Sequence, residues 1–200
     1  NEMKELHVDL RLGRTADAEM ILAENPDNVI VAAGAHNVIP PIEGSKMPHV
    51  FDAWKVLNHE ELPSGRVVVI GGGLVGLETA DTLATDGCEV TVLEMKDSIG
   101  SDLGSLRKIA VMMKMQQLQV KLLPNSKVCK FTEEGIVLED GTQVPCECAV
   151  FAVGFLANDS HPLAEVCEKR KLPYYVIGDA KSARRALDAI AEGFEVARTL

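Results

Sequence analysis

VVVIGGGLVGLETA, residues 67–80, joins an apolar run to a helix-like stretch through three consecutive glycines and a fourth three positions later. The spacing Gly71-x-Gly73-x-x-Gly76 is that of a dinucleotide-binding turn, and each glycine in it has a physical reason. Gly71 permits the tight turn off the strand, Gly73 lets the backbone approach a pyrophosphate, and Gly76 lets the helix pack closely on the sheet. The phosphates would lie at the helix N-terminus, where free N–H groups and the helix dipole favour negative charge. Gly71, Gly72, Gly73, Leu74, Val75 and Gly76 are therefore candidate cofactor contacts. A glycine-rich packing turn without ligand is the competing explanation. No Gly-Lys-Ser/Thr follows, which excludes a P-loop.

What flanks the turn favours a ligand. RVVVIG (66–71) reads as a strand buried on both faces, LVGLETADTLATDG (74–87) as a helix capped at Gly87, and CEVTVLEM (88–95) as a second strand. That second strand ends on Glu94, close to the offset of about 20 residues at which an acidic side chain meets the ribose hydroxyls. A carboxylate there accepts bonds from the 2′- and 3′-hydroxyls and repels a 2′-phosphate, which favours NAD(H). NADP(H) stays open, because Lys96, Arg107 or Lys108 could offset the repulsion. Met95 and Lys96 join Glu94 as candidate contacts. Glu78, on the first turn of the helix, is either a carboxylate suited to the helix dipole or a contact near the nicotinamide.

Outward from this core, the sequence predicts an α/β, Rossmann-like, doubly wound parallel sheet in three layers, crossed by an antiparallel β-meander. HVDLRL (7–12) alternates as a short strand does, and TADAEMILAEN (15–25) reads as a helix with Thr15 as N-cap. NVIVAAGA (28–35) reads as a buried strand, NVIPPIEG (37–44) as a proline-stiffened connection, and Trp54, Val56 and Leu57 as part of a short helix. SLRKIAVMMKMQQL (105–118) is a helix with Leu106, Ile109, Met113 and Leu118 as its apolar positions and its methionines as core filler. VKLLP, SKVCKFTE, GIVLED and QVPCECAVFAVG follow as strands, with a hairpin turn at Asp140-Gly141. A closing helix spans about 182 to 198, with Leu187, Ile190, Phe194 and Ala197 on one stripe.

Composition narrows the function. A net charge of −10 argues against a nucleic-acid partner, whose phosphates need a basic face. No apolar run approaches the ~20 residues of a membrane helix and no signal peptide opens the chain, so a cytoplasmic, membrane-free protein is expected. Five scattered histidines argue against a zinc site, and the five cysteines have no disulfide spacing. Cys146 and Cys148 would point to one face of a strand, yet reduced thiols are the simpler reading. Asn1 in place of an initiating Met is read as the mark of an excised piece.

NVIVAAGA (28–35), IPPIEG (39–44), the 67–95 stretch, AVFAVGFLAND (149–159) and YYVIGDAKSARRALDAIAEGFEVAR (174–198) also carry a likeness in their order. Together they resemble the C-terminal FAD/NAD(P)-binding region of the NADH oxidase, 2,4-dienoyl-CoA reductase and trimethylamine dehydrogenase family, whose fold is of the glutathione reductase type. The resemblance implies an NAD(P)H-binding domain at 63–153 inserted in a partial FAD-type domain, made of 1–62 with its linker and 154–200. By the same resemblance, Gly178 and Asp179 would meet FAD, with Asp179 on its ribityl or phosphate region. Val153 and Gly154 would pass close to the nicotinamide nucleotide.

Several features depart from the family pattern. The glycine fingerprint that opens the FAD domain is absent, as are the flavin barrel, the iron–sulfur cysteines and the redox cysteine pair. The expectation is therefore an NAD(H)-binding domain of a flavin-dependent oxidoreductase, which presents the nicotinamide for hydride transfer to FAD in the intact parent. Its partner would be the N-terminal flavin/iron–sulfur portion, and alone the piece would bind FAD poorly and not turn over. No residue is assigned a catalytic role. A non-catalytic NADH-sensing module is the main alternative, and an electron-transfer scaffold a further one.

Overall fold

Alternate residues of the first apolar run face different neighbours: Val67 and Val69 enter one hydrophobic cluster, Val68 and Ile70 another. Side chains of a strand alternate between two faces, so a run that is apolar at every position has to be covered on both. A computed structural model describes residues 2–200 and shows what covers them.

In chain order the helices are α1 (Glu2–Glu5), α2 (Ala18–Glu24), α3 (Ala53–Leu57), α4 (Leu74–Thr85), α5 (Ser105–Gln117), α6 (His161–Arg170) and α7 (Ala186–Ala197). The strands are β1 (Val29–Val31), β2 (Ala35–Asn37), β3 (Val50–Asp52), β4 (Arg66–Ile70), β5 (Glu89–Leu93), β6 (Lys121–Leu123), β7 (Val128–Thr132), β8 (Gly135–Leu138), β9 (Gln143–Pro145), β10 (Cys148–Phe151), β11 (Phe155–Ala157) and β12 (Tyr174–Val176). The chain divides into two units, residues up to 35 with 157–200, and residues 36–156.

The second unit is built on a five-stranded parallel sheet of order β3-β10-β4-β5-β6. On one face Val56 of α3, Leu77, Ala80 and Leu83 of α4, and Met115 of α5 bury Val67, Val69, Val90, Val92 and Val150. On the other face lies the antiparallel sheet β7-β8-β9, through which the chain passes on its way from β6 to β10. Val128, Phe131, Ile136 and Leu138 from that sheet cover Val68, Ile70, Leu93, Ala149 and Phe151. Phe131 meets Phe151 edge-on, with ring centroids 5.3 Å apart, a geometry that suits the aromatic quadrupoles. Helices, parallel sheet and meander make the three-layer, doubly wound α/β architecture expected from the sequence.

In the first unit β1 and β12 pair in parallel, Val29 opposite Tyr174 and Val31 opposite Val176. α2 carries Asp17 as its N-cap, whose side chain accepts a bond from the Met20 N–H at 2.9 Å. Its other end is closed by Asn25 in the left-handed region.

Several local expectations are corrected. Residues 7–12 form no strand and are exposed throughout; alternation names a face, but no other strand takes up their backbone groups. Arg11 there pairs with Asp9 and Glu24 instead. The N-cap of α2 is Asp17, not Thr15. The strand expected at 28–35 is limited to Val29–Val31, and it is covered on one face only: Val31 is buried, while Ile30, which points to the other face, stays 43% exposed.

QVPCECAVFAVG is two strands in two sheets. Pro145 ends β9, and Glu147 turns to Arg66, accepting from both its backbone N–H and its guanidinium, before β10 begins at Cys148. Cys146 consequently packs on the meander side and Cys148 on the helix side, so the two thiols do not share a face.

The stripes expected to be buried on α5 and α7 lie largely outward. Leu106, Ile109 and Met113 are exposed, and α5 instead buries Met115 with Val111, Met112 and Leu118 packed around it. Core filler describes Met115 but not Met113. Leu187, Ile190, Phe194 and Ala197 are exposed too, and the helix begins at Ala186 rather than 182. Its inward face is the small-residue one: Ala189 packs beside Gly178, and Gly193 beside Ile177. Small side chains let the helix approach, a preference that hydropathy alone does not rank.

Candidate dinucleotide-binding site

The carboxyl ends of β4, β5 and β10 lie side by side, and the chain makes its glycine turn there. Gly71 has φ +110°, and a Cβ on it would collide with the Ala152 carbonyl oxygen at the end of β10. Its own N–H donates to the Leu93 carbonyl at 2.8 Å. A Cβ on Gly76 would fall on the Gly71 carbonyl, so the helix can sit this low on the sheet only with glycine there. Gly73 is the N-cap of α4 and has no side chain to cap it. Leu74 and Val75 follow as the first helical residues.

Glu94 stands one residue beyond β5, and its carboxylate is held against the turn. One oxygen accepts the Gly72 N–H at 2.8 Å, the other the Lys96 N–H at 2.9 Å. Each oxygen keeps a further lone pair, so two ribose hydroxyls could be received without breaking either bond. Met95 and Lys96 are exposed beside it. Of the cations considered for a 2′-phosphate, Arg107 is paired with Glu78 at 2.9 Å and the Lys108 ammonium donates to the Ser98 hydroxyl at 3.0 Å. Glu78 is thus engaged with α5.

Val153 is 40% exposed just past β10, and Gly154 follows with φ +119°, which only glycine adopts without strain. The Gly154 carbonyl accepts the Val38 N–H at 3.0 Å. Beside it Phe155 packs on Trp54, rings 5.0 Å apart, an aromatic pair with no counterpart among the sequence motifs. Gly178 and Asp179 belong to the first unit. The Gly178 N–H donates to Glu192, the Asp179 carboxylate accepts the Arg184 N–H at 3.1 Å, and Glu192 also binds Arg184 and Lys181. These contacts hold the Glu192 carboxyl down at about 2, chiefly through the Arg184 hydrogen bond.

Sequence reasoning passed over Asp102, whose carboxylate accepts the Leu74 N–H at 3.0 Å. No motif spacing announces it, because it comes from the loop before α5. Among the described residues no group of three or more His, Cys, Asp or Glu could hold a metal ion, and no helix is long and apolar enough to cross a membrane. The donors, the cradle that only glycine allows, and the adjacent carboxylate fit a dinucleotide.

Comparison with known proteins identifies the family. Residues 5–174 match the pyridine nucleotide-disulphide oxidoreductase family. The chain belongs to that family. This member is an NAD(P)H-binding domain of a flavin-linked oxidoreductase family. It is similar to a bilirubin reductase from Mediterraneibacter gnavus, 55% identical over 206 residues that cover all of this chain and 32% of the relative. An NADH oxidase from Thermoanaerobacter brockii is 35% identical over 98% of this chain and 31% of its own length. Among solved structures, a 2-naphthoyl-CoA reductase complex superposes with a TM-score of 0.86 and 29% identity, over 97% of this chain and 30% of that one. The chain therefore spans about a third of the length of these relatives.

Proposed function

We propose that residues 63–153 bind NAD(H) and present its nicotinamide to a flavin in the intact protein, as in the NADH oxidase and dienoyl-CoA reductase group of the family. Residues 1–62 and 154–200 are the matching part of an FAD-type domain in this reading. The observation that carries it is the Glu94 carboxylate, fixed at the end of β5 by the Gly72 and Lys96 N–H groups. A carboxylate anchored there receives the adenosine ribose and disfavours a 2′-phosphate.

The roles of the chain's own groups follow. Gly73 and Leu74 offer backbone N–H groups to the pyrophosphate at the start of α4, and the Gly72 N–H holds the Glu94 carboxylate beside it. Gly71 and Gly76 keep that turn close to the sheet. Val153 and Gly154 line the nicotinamide end, where Gly154 has no side chain to obstruct it. Gly178 and Asp179 are assigned to FAD, with Asp179 toward the ribityl or phosphate region. When bound, the nicotinamide supplies a hydride for the flavin; the protein contributes position and electrostatics.

The flavin and iron–sulfur portion of the longer relatives is the proposed partner, and the final acceptor and organic substrate are assigned to it. The 200-residue chain alone is expected to bind FAD weakly and not to turn over. Thermal shift with NADH, NADPH and FAD in parallel tests this. The largest stabilisation is expected from NADH. A larger shift with NADPH overturns the reading of Glu94, and a yellow protein purified with stoichiometric FAD overturns the expectation of weak flavin binding.

A further inference from the structure

Two N–H groups of the glycine turn already have carboxylate partners from within the chain. Glu94 takes the Gly72 N–H from the side, where the ribose belongs. Asp102 takes the Leu74 N–H, the first helical donor of α4, at 3.0 Å. That is where a pyrophosphate would bind, because the first N–H groups of a helix have no partner within it. Asp102 also stands over the glycine face: its Oδ2 is 3.2 Å from the place a Cβ on Gly73 would occupy. Gly73 cannot cap the helix, so Asp102 caps it from another segment.

The loop that carries Asp102 is tethered to the turn. The Gly100 N–H donates to the Gly72 carbonyl at 2.7 Å. Ile99 is buried against Gly72, and Leu103 packs on the helix-side core. Between these anchors Asp102 is exposed.

We propose that Asp102 is a built-in competitor of the dinucleotide pyrophosphate: its carboxylate must leave the Leu74 N–H for the nucleotide to bind, and it thereby sets the affinity. The proposal rests on the NAD(H) reading above. Two effects act in one direction. The carboxylate gives up a charge-assisted bond at the positive end of a helix. Where it cannot withdraw fully, it repels the incoming phosphates. The compensating benefit is that the helix start remains capped in the free protein.

The test compares the 200-residue protein with D102A and D102N by titration with NADH and with ADP-ribose, which shares the pyrophosphate but lacks nicotinamide. Quenching of Trp54, the sole tryptophan, and calorimetry give the dissociation constants, and thermal melts without ligand give the stability. D102A is expected to bind both ligands about three- to tenfold more tightly while melting at a lower temperature. D102N keeps an acceptor oxygen without the charge and is expected to fall between. Adenosine, which carries no phosphate, should not distinguish the three proteins.

If the wild type binds NADH and D102A and D102N bind it equally or less well, the competitor role is overturned and the NAD(H) reading stands. If none of the three binds NADH or ADP-ribose, the NAD(H) reading falls and takes this inference with it. Should D102A fail to fold, D102N decides by the same criterion.

Discussion

Gly76 lies directly against the Gly71 carbonyl, so that a Cβ added to Gly76 would come within 1.8 Å of that oxygen. Both partners are backbone, and neither can swing aside as a side chain would. Gly76→Ala is therefore expected to push α4 away from the sheet at a cost of about 3 kcal/mol, the upper part of the range for overpacked cores. Gly87→Ala is the control. Gly87 has φ +93° but open space around it, so only backbone strain of about 1–2 kcal/mol applies. Chemical denaturation of the two variants should rank them in that order, and equal losses would contradict the close-packing account.

Glu94 anchors the ribose end. Glu94→Ala removes the acceptor for the Gly72 and Lys96 N–H groups and is expected to weaken NADH binding at least about tenfold, as for other hydrogen bonds to charged groups. NADPH binding should change less, because the removed charge also repelled the 2′-phosphate. The measurement is the ratio of the two dissociation constants by calorimetry. An unchanged ratio would remove Glu94 from cofactor selection.

Glu192 provides a pH signature. Its carboxyl titrates at about 2 in the folded chain rather than the ordinary 4.5, because the carboxylate is bonded to Arg184, the Gly178 N–H and Lys181. A lowered folded value means that the stabilisation is fully present above 4.5 and is lost as pH falls from 4.5 towards about 2. Urea midpoints for Glu192→Gln should be lower than wild type at pH 6, and the gap should close towards pH 2.5. A constant gap across that interval would show that the carboxylate charge is not what Glu192 contributes.

The cysteines are expected to react as isolated thiols. Burial pushes the Cys146 thiol up to about 11, and Cys148 lies on the opposite side of the sheet. Cys129 is exposed. Because the thiolate is the nucleophile, alkylation near pH 8 should label Cys129 first and Cys146 only on unfolding. Mass spectrometry of a short labelling pulse reads this directly. Rapid joint labelling of Cys146 and Cys148, or a disulfide between them, would contradict the separation.

The βαβ unit was legible in the sequence because its signals are local. The all-apolar RVVVI, the glycine spacing and the second strand ending at Glu94 each follow from neighbours in the chain. The meander hairpin at Asp140-Gly141 was legible for the same reason: Gly141 takes φ +86° and the Thr142 N–H bonds back to Asp140. Residues 7–12 misled because strand alternation is a local pattern, whereas a ladder needs a partner from elsewhere. The stripe on α7 misled because helical periodicity marks an apolar face without saying what covers it.

By itself, then, the sequence determined the kind of fold and the location of its turn, since periodicity and the space left by a missing side chain are properties of short segments. The tertiary structure alone decided which faces are covered, which thiols are apart, and which carboxylate caps α4. Asp102 lies 28 residues from the Leu74 N–H it accepts, and Glu147 lies 81 residues from Arg66. Contacts of that range arise from packing of sheet, helices and meander, and no short spacing in the chain encodes them.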